Sequence, residues 1–394
     1  MWAMDAEGEQ VTRPVLRAVL GVAVGLHMLA AVPVLALAGL LLVHAATGRG
    51  RLFAVAVLAG LCVPVLLWLA SRAGRRWAVL KAAAACGGLS LLLLVVVYVL
   101  TPDGAARPGA SVRSCYSGAT AYRRSSLTNL VPEEDQLLLG TRVMPAADRL
   151  LDRAAAAELR ENVRAVYAEM GRSPEFERLG SVLDQSYRDV LFGKAAVGHF
   201  YEYIPAKAPA GRLPVVIFLH GSLGNFKGYL WVWKRIADQS GVAVVAPTFG
   251  AGNWDRPGGM DAVDHALRYC ASHPRMDPSR IHLAGLSNGG RGVCLAANRS
   301  PEAYRGLMLI SPVIDEQALL AGCFAAAWKD KPILIIHGAD DNRVPAPQVR
   351  EAAESLRAAG LRVETRCWEG QCHFLFFAVR DQVQDRIADW LKHN

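Results

Sequence analysis

Several chemistries are missing from this 394-residue chain. No cysteine pair has the spacing of a zinc site, no set of His, Cys, Asp and Glu is spaced as metal ligands, and there is no nucleotide-binding glycine loop. Neither metal nor cofactor is therefore expected. There is also no repeat period and no Lys/Arg-rich tail, so the formal charge of +8 (43 Lys+Arg against 35 Asp+Glu) is not read as a nucleic-acid footprint, and no nucleic-acid partner is expected. Formal charge is absent altogether between Arg17 and Arg49. The chain is 53% hydrophobic, with a mean hydropathy of +0.22, which is high for a soluble enzyme. The excess is local.

It lies in the first hundred residues, where apolar runs cover Ala18–Val43, Leu52–Ala70 and Ala82–Leu100. A helix of about 20 apolar residues crosses a hydrocarbon layer of about 30 Å, so each run is long enough to span a bilayer. Pro33 and Pro64 would break soluble helices but are tolerated inside membrane spans. The first run is too long for a cleavable signal peptide, and two more follow it. Arg13 and Arg17 precede the first span and Arg72, Arg75, Arg76 and Lys81 separate the second from the third. Arg49 and Arg51 lie in the first loop, with Arg107 and Arg113 after the third span. This bias predicts a multi-pass protein of the cell membrane with a cytoplasmic N-terminus and everything after about Thr101 outside the cytoplasm. Cys62 and Cys86 fall in or beside the spans. Cys115, Cys270, Cys294, Cys323, Cys367 and Cys372 lie beyond them, an even number that permits disulfides in an oxidising compartment but assigns no pairing.

The length allows two or three domains. The reading is a membrane region over 1–103, a linker and helical segment over 104–197, and an α/β domain over 198–394. Thr101–Ser114, rich in Pro, Gly, Ala and Arg, reads as linker, and helices are predicted over Arg149–Met170 and Pro174–Leu191. From about Gly198 strands and helices alternate, which predicts a mainly parallel sheet flanked by helices. Predicted strands are His199–Ile204, Val215–Leu219, Val242–Ala246, Ile281–Ala284, Leu307–Ile310, Ile333–His337 and Val363–Trp368. Helices are expected over Tyr229–Ser240, Asp261–Ala271, Val293–Asn298 and Val379–Lys392.

The strand ends carry the chemistry. Ile281–Ala284 runs into Gly285-Leu286-Ser287-Asn288-Gly289 and then a helix, so Ser287 is expected on a tight, strained turn with its hydroxyl above the sheet. Asp340 and Asp341 follow a later strand, and Cys372-His373 follows the last one. A serine hydroxyl is a poor nucleophile until an imidazole takes its proton, and the imidazole needs a carboxylate to fix its tautomer. Ser287, Asp341 and His373 stand in the chain order this topology requires.

On these motifs the chain from about residue 198 onward resembles the α/β-hydrolase superfamily, and Gly-Leu-Ser-Asn-Gly-Gly is similar to its secreted esterase and polyester-depolymerase-like branch. The resemblance covers about half the chain. It implies that Asp341, in Gly338-Ala339-Asp340-Asp341-Asn342-Arg343-Val344-Pro345, is the triad acid rather than Asp340. It also implies that His220-Gly221 opens an oxyanion loop, with the backbone N–H of Ser222 or Leu223 joining that of Asn288. Cys372-His373 departs from the family's Gly-His. His220 is expected to shape the loop, and His265, His273, His282 and His337 to be structural or exposed. Trp231, Trp233 and Trp254 are expected either to line an acyl pocket or to pack in the core or on a membrane-facing surface. The resulting expectation is a membrane-anchored serine hydrolase acting on a small-molecule or lipid-like ester. A peptidase or acyltransferase on the same triad, and an inactive tethered binding protein, are the alternatives.

Overall fold

The computed structural model describes residues 6–72, 76–104, 109–320 and 322–394. Arg75 and Arg107, counted above for orientation, lie outside the described residues, as do the side chains of Arg13, Arg17 and Cys323. The chain divides into two units, one running to Thr101 with Leu130–Leu139, the other formed by the rest.

The first unit holds α1 (Ala6–His44), α2 (Gly48–Ala70) and α3 (Arg76–Leu100). Gly21–His44 of α1 and the whole of α2 and α3 are long and apolar enough to cross a membrane, with mean hydropathies of 2.4, 2.6 and 2.5. Their apolar side chains point outward, Leu29 being 72% and Leu91 66% exposed, which suits hydrocarbon and not water. Pro64 sits within α2 without ending it. The α1–α2 turn is polar and fully engaged: Thr47 caps α2 by accepting the Gly50 N–H at 3.0 Å, and buried Asp135 accepts the Ala46 N–H at 2.7 Å and the Thr47 hydroxyl.

The second unit is built on an eight-stranded sheet in the order β1-β2-β4-β3-β5-β6-β7-β8. The strands are β1 (Val112–Tyr116), β2 (His199–Tyr203), β3 (Leu213–Leu219), β4 (Ala243–Pro247), β5 (Met276–Leu286), β6 (Gly306–Ile310), β7 (Pro332–Gly338) and β8 (Arg362–Trp368). β1–β2 and β2–β4 pair antiparallel and the rest parallel. β1 arises inside the stretch predicted as linker and helices. Its five residues pair with Phe200 and neighbours some 85 positions away, a partner that local composition does not reveal.

The helices of this unit used below are α4 (Arg153–Met170), α5 (Leu183–Phe192), α6 (Lys227–Ser240), α7 (Gly259–Ser272), α8 (Asn288–Arg299), α9 (Ala346–Ala358) and α10 (Arg380–His393). The inner strands of the sheet are buried on both faces, as the unbroken apolar run of β3 requires. Val215, Ile217 and Leu219 belong to one buried cluster with Ala266 of α7, Val293 of α8 and Val349 of α9. Phe218 points the other way and meets Trp233 of α6 at 5.3 Å and Phe376 at 6.3 Å between ring centres. Each such side chain, fully buried, contributes about 1.5–3 kcal/mol of transfer free energy.

The helix predicted over Pro174–Leu191 is instead two, Pro174–Glu177 and α5. Side chains from elsewhere take the intervening backbone: Lys227 Nζ donates to the Leu179 carbonyl, the Tyr201 hydroxyl to that of Gly180, and Asn129 Oδ1 accepts the Ser181 N–H. With those groups committed, i→i−4 bonding cannot pass through. The described cysteines of this unit, Cys115, Cys270, Cys294, Cys367 and Cys372, are free thiols.

Candidate active site

β3, β5, β7 and β8 are parallel, so their C-terminal ends open on one edge of the sheet, where Ser222, Ser287, Asp341 and His373 follow them. Between β5 and α8, Ser287 adopts φ 53°, a left-handed conformation that costs an L-residue about 1–3 kcal/mol. Neighbours hold it there. Its N–H is donated to the Ile310 carbonyl at 2.9 Å, and its own carbonyl accepts the N–H groups of Gly290 at 2.8 Å and Val313 at 3.0 Å. The flanking glycines are steric necessities: a Cβ at Gly285 would overlap the Gly289 carbonyl, and one at Gly289 would overlap that of Leu219.

The three side chains meet. His373 Nε2 lies 3.0 Å from Ser287 Oγ, and its Nδ1 2.7 Å from Asp341 Oδ2. Asp341 is 4% exposed, and its other oxygen, Oδ1, accepts the N–H groups of Arg343 and Val344, both at 2.9 Å. Because the carboxylate only accepts, Nδ1 carries the imidazole proton and the lone pair on Nε2 faces the serine. Asp340 is exposed, and its backbone N–H is donated to the Gln371 carbonyl at 3.0 Å. The Cys372 thiol has its pKa raised by burial, so it stays protonated beside His373.

The loop after β3 supplies backbone donors. Leu223, one of the two candidates there, donates its N–H to the Ala251 carbonyl at 3.1 Å and is thereby taken. Of the two candidates this leaves the Ser222 N–H, opposite Asn288 at the first turn of α8, where a helical N–H has no intrahelical acceptor. Asn288 Nδ2 also donates to Ser222 Oγ at 2.9 Å, tying the two segments together.

His220, fully buried, fixes the orientation of this loop. Its Nε2 accepts the Phe249 N–H at 3.2 Å, so Nδ1 carries the proton and donates it to the Gly221 carbonyl at 2.8 Å. In a trans peptide the C=O of Gly221 and the N–H of Ser222 point in opposite directions. Holding the carbonyl on His220 therefore turns the Ser222 N–H away from it. Burial pushes the pKa of His220 down to about 4 and keeps the ring neutral.

The remaining histidines belong to other neighbourhoods. His265 bonds Ser117 at 3.0 Å, His273 lies 3.7 Å from Glu202, His282 packs on Trp390, and His337 Nδ1 lies 3.3 Å from the Gly338 carbonyl. Trp233 and Trp254 are core residues, and Trp231 stacks edge-on against Phe176 at 5.0 Å. Trp254 additionally donates to the His220 carbonyl at 2.9 Å, beneath the loop. Sequence reasoning missed Arg343, which pairs with Asp148 and lies with its guanidinium 5.6 Å from the centre of the Phe374 ring, so one side chain clamps the acid and histidine loops. It also missed Asp189, which accepts the Ala251 N–H at 2.9 Å behind Leu223. No local signal marks either residue.

Comparison with known proteins places this site in context. Residues 257–391, which include β5, Ser287, Asp341 and His373, match the family model described as the dienelactone hydrolase family. A poly(3-hydroxybutyrate) depolymerase from Ralstonia pickettii is 30% identical over 146 residues, 30% of this chain and 29% of that protein. The chain thus spans under a third of that relative's length. Among solved structures, a thermostable esterase is 24% identical over 49% of this chain and 58% of its own, with a TM-score of 0.41. A ferulic acid esterase is 16% identical over 51% and 96%, with a TM-score of 0.44. The strand order, the turn at Ser287 and the family match agree: the chain carries an α/β-hydrolase domain, of which residues 257–391 match the dienelactone hydrolase family model.

Proposed function

We propose that the chain is a membrane-anchored serine hydrolase that cleaves carboxylic esters through an acyl-enzyme. The observation that carries this reading is the continuous hydrogen-bonded chain from Ser287 Oγ through His373 to Asp341 Oδ2. Ser287 Oγ attacks the ester carbonyl while His373 Nε2 takes its proton. The negative charge that develops on the carbonyl oxygen is met by the N–H groups of Ser222 and Asn288, donors of a kind worth about 3–4 kcal/mol each to such an intermediate. Collapse expels the alkoxide, which takes the proton from the imidazolium, leaving the acyl group on Ser287. Water, deprotonated by the same imidazole, then attacks the acyl carbonyl, and the second intermediate collapses to release the acid as Ser287 Oγ takes the proton back from the imidazolium. Asp341 holds the tautomer and stabilises the imidazolium throughout. The depolymerase relative supports an ester over an amide as the bond cleaved.

Full-length protein is expected to hydrolyse p-nitrophenyl esters and to leave peptide substrates intact. Peptide cleavage, or turnover that requires an added acyl acceptor, would move the assignment to a peptidase or an acyltransferase. A folded protein inactive on all three substrate classes would make it a tethered binding protein. The arginine and lysine bias around the spans supports a domain outside the cytoplasm. A reporter fused after Asn394 that works only outside the cytoplasm should be active. A silent one, with an active cytoplasmic reporter, would reverse the orientation.

A further inference from the structure

The end of α5 carries its apolar residues outward. Tyr187, Val190, Leu191 and Phe192 are 41%, 64%, 69% and 68% exposed. Beyond the buried Leu183 it is polar side chains that hold the helix down: Ser186 donates to the Gly250 carbonyl at 3.0 Å and Asp189 accepts the Ala251 N–H at 2.9 Å. This inverts the pattern of a helix that packs its apolar stripe on a core and turns polar groups to water.

The exposed face adjoins the candidate site. A Cβ at Gly224 would overlap Ser186 Oγ and meet Leu183 Cδ2 at 3.4 Å, so the loop after β3 lies against that stripe of α5. Val190 continues the stripe at i+4 from Ser186 and i+7 from Leu183. Leu223, between Ser222 and Gly224, is 47% exposed and sits at φ 74°, a conformation that glycine or asparagine would adopt at lower cost. An apolar rim therefore runs from the oxyanion loop onto the end of α5.

The exposed charges at this end of the helix and just beyond it are positive. Arg188 and Lys194 are exposed, Asp189 is buried, and Asp184, one turn earlier, lies in the field of Arg123 and Arg188. Aromatic and aliphatic side chains fringed by Arg and Lys match the interface of an anionic bilayer in both hydrophobicity and charge. The chain's own apolar helices, long enough to cross a bilayer, make that surface the one to which it is covalently confined.

We propose that the rim formed by Leu223, Val190, Leu191 and Phe192 docks on the anionic lipid surface of the membrane that anchors the chain, so that Ser287 works on esters resident in that surface. The substrate half of this statement rests on the serine-hydrolase reading; the docking half does not. The test therefore uses the full chain carrying Ser287→Ala, in lipid nanodiscs, with Phe192→Trp as reporter against the same chain without it. Lipids brominated near the headgroup end of the acyl chain are expected to remove about half or more of the added emission. The loss should be larger in discs containing phosphatidylglycerol than in purely zwitterionic ones, and Arg188→Glu with Lys194→Glu should abolish that difference. Leu191→Trp repeats the measurement should Phe192→Trp fail to fold. Added emission untouched by bromination overturns the docking, whether it is blue-shifted, as under a second copy of the chain, or red-shifted and open to iodide, as in water. No arm of the test depends on hydrolysis, so a failed esterase assay and a failed docking are separate results.

Discussion

Asp341→Asn changes one charge and almost no volume, and the structure dictates how the new side chain sits. Asp341 Oδ1 accepts two backbone N–H groups, from Arg343 and Val344, each at 2.9 Å. In the Asp341→Asn variant these donors must face the amide oxygen, because turning the amide round would set its NH2 against two N–H groups in a buried position. The NH2 then points at His373 Nδ1, 2.7 Å from the atom it replaces. Nδ1 becomes an acceptor, the imidazole proton moves to Nε2, and Nε2 faces Ser287 Oγ with a hydrogen where the lone pair was needed. A base in the wrong tautomer, with no carboxylate to stabilise its charge, costs about 10⁴-fold in kcat, or about 5 kcal/mol, with KM little changed. Steady-state hydrolysis of a p-nitrophenyl ester by the full chain measures this, and Asp340→Asn, at an exposed position, serves as the matched control. Asp341→Asn within about tenfold of the parent, or Asp340→Asn equally impaired, would refute the assignment.

Other perturbations follow from the same geometry. Gly289→Ala places a methyl group on the Leu219 carbonyl, so the turn at Ser287 must open, and both thermal stability and activity should collapse; a variant with the parent's Tm and turnover would contradict the packing. His199 and His220 are both fully buried, with pKa values lowered by burial to about 3 and about 4 from 6.5. The unfolded chain therefore binds their protons first as pH falls below 6.5, and stability present above that pH is lost toward pH 4 by up to about 1.4 kcal/mol per pH unit for each. Thermal midpoints from pH 7 to pH 4 should show that slope, reduced by one proton in His220→Asn; a flat profile would remove both rings from the account. The Asp148–Arg343 pair is about a quarter exposed on each side, so a double-mutant cycle on stability should give a coupling of about 0.5–1 kcal/mol, whereas zero coupling would mean the clamp is not held.

What was legible in the sequence is what local pattern encodes. The turn at Ser287 depends on glycines two residues to either side, and the parallel strands declare themselves as short runs such as Val215–Leu219 that have no polar face. The membrane-length helices are visible for the same reason. Pairings between distant segments were not legible. β1 belongs to the sheet only because β2 offers it an edge, and the break before α5 comes from Asn129, Tyr201 and Lys227 reaching into residues 179–181. Within the candidate site, the residues at strand ends could be named from their order. That the Leu223 N–H is taken by Ala251, while that of Ser222 is turned outward by the His220–Gly221 bond, depends on loop geometry with no residue-type signature. Arg343 and Asp148 meet across 195 positions, and no pattern in either neighbourhood anticipates the contact.

The central claim is that Ser287 Oγ is the nucleophile, and covalent labelling by a fluorophosphonate probe reads that atom directly. The full-length chain should be labelled, Ser222→Ala should be labelled too, since the Ser222 hydroxyl only accepts the Asn288 amide and is not assigned as a nucleophile, and Ser287→Ala should not. Undiminished labelling of folded Ser287→Ala would contradict the account.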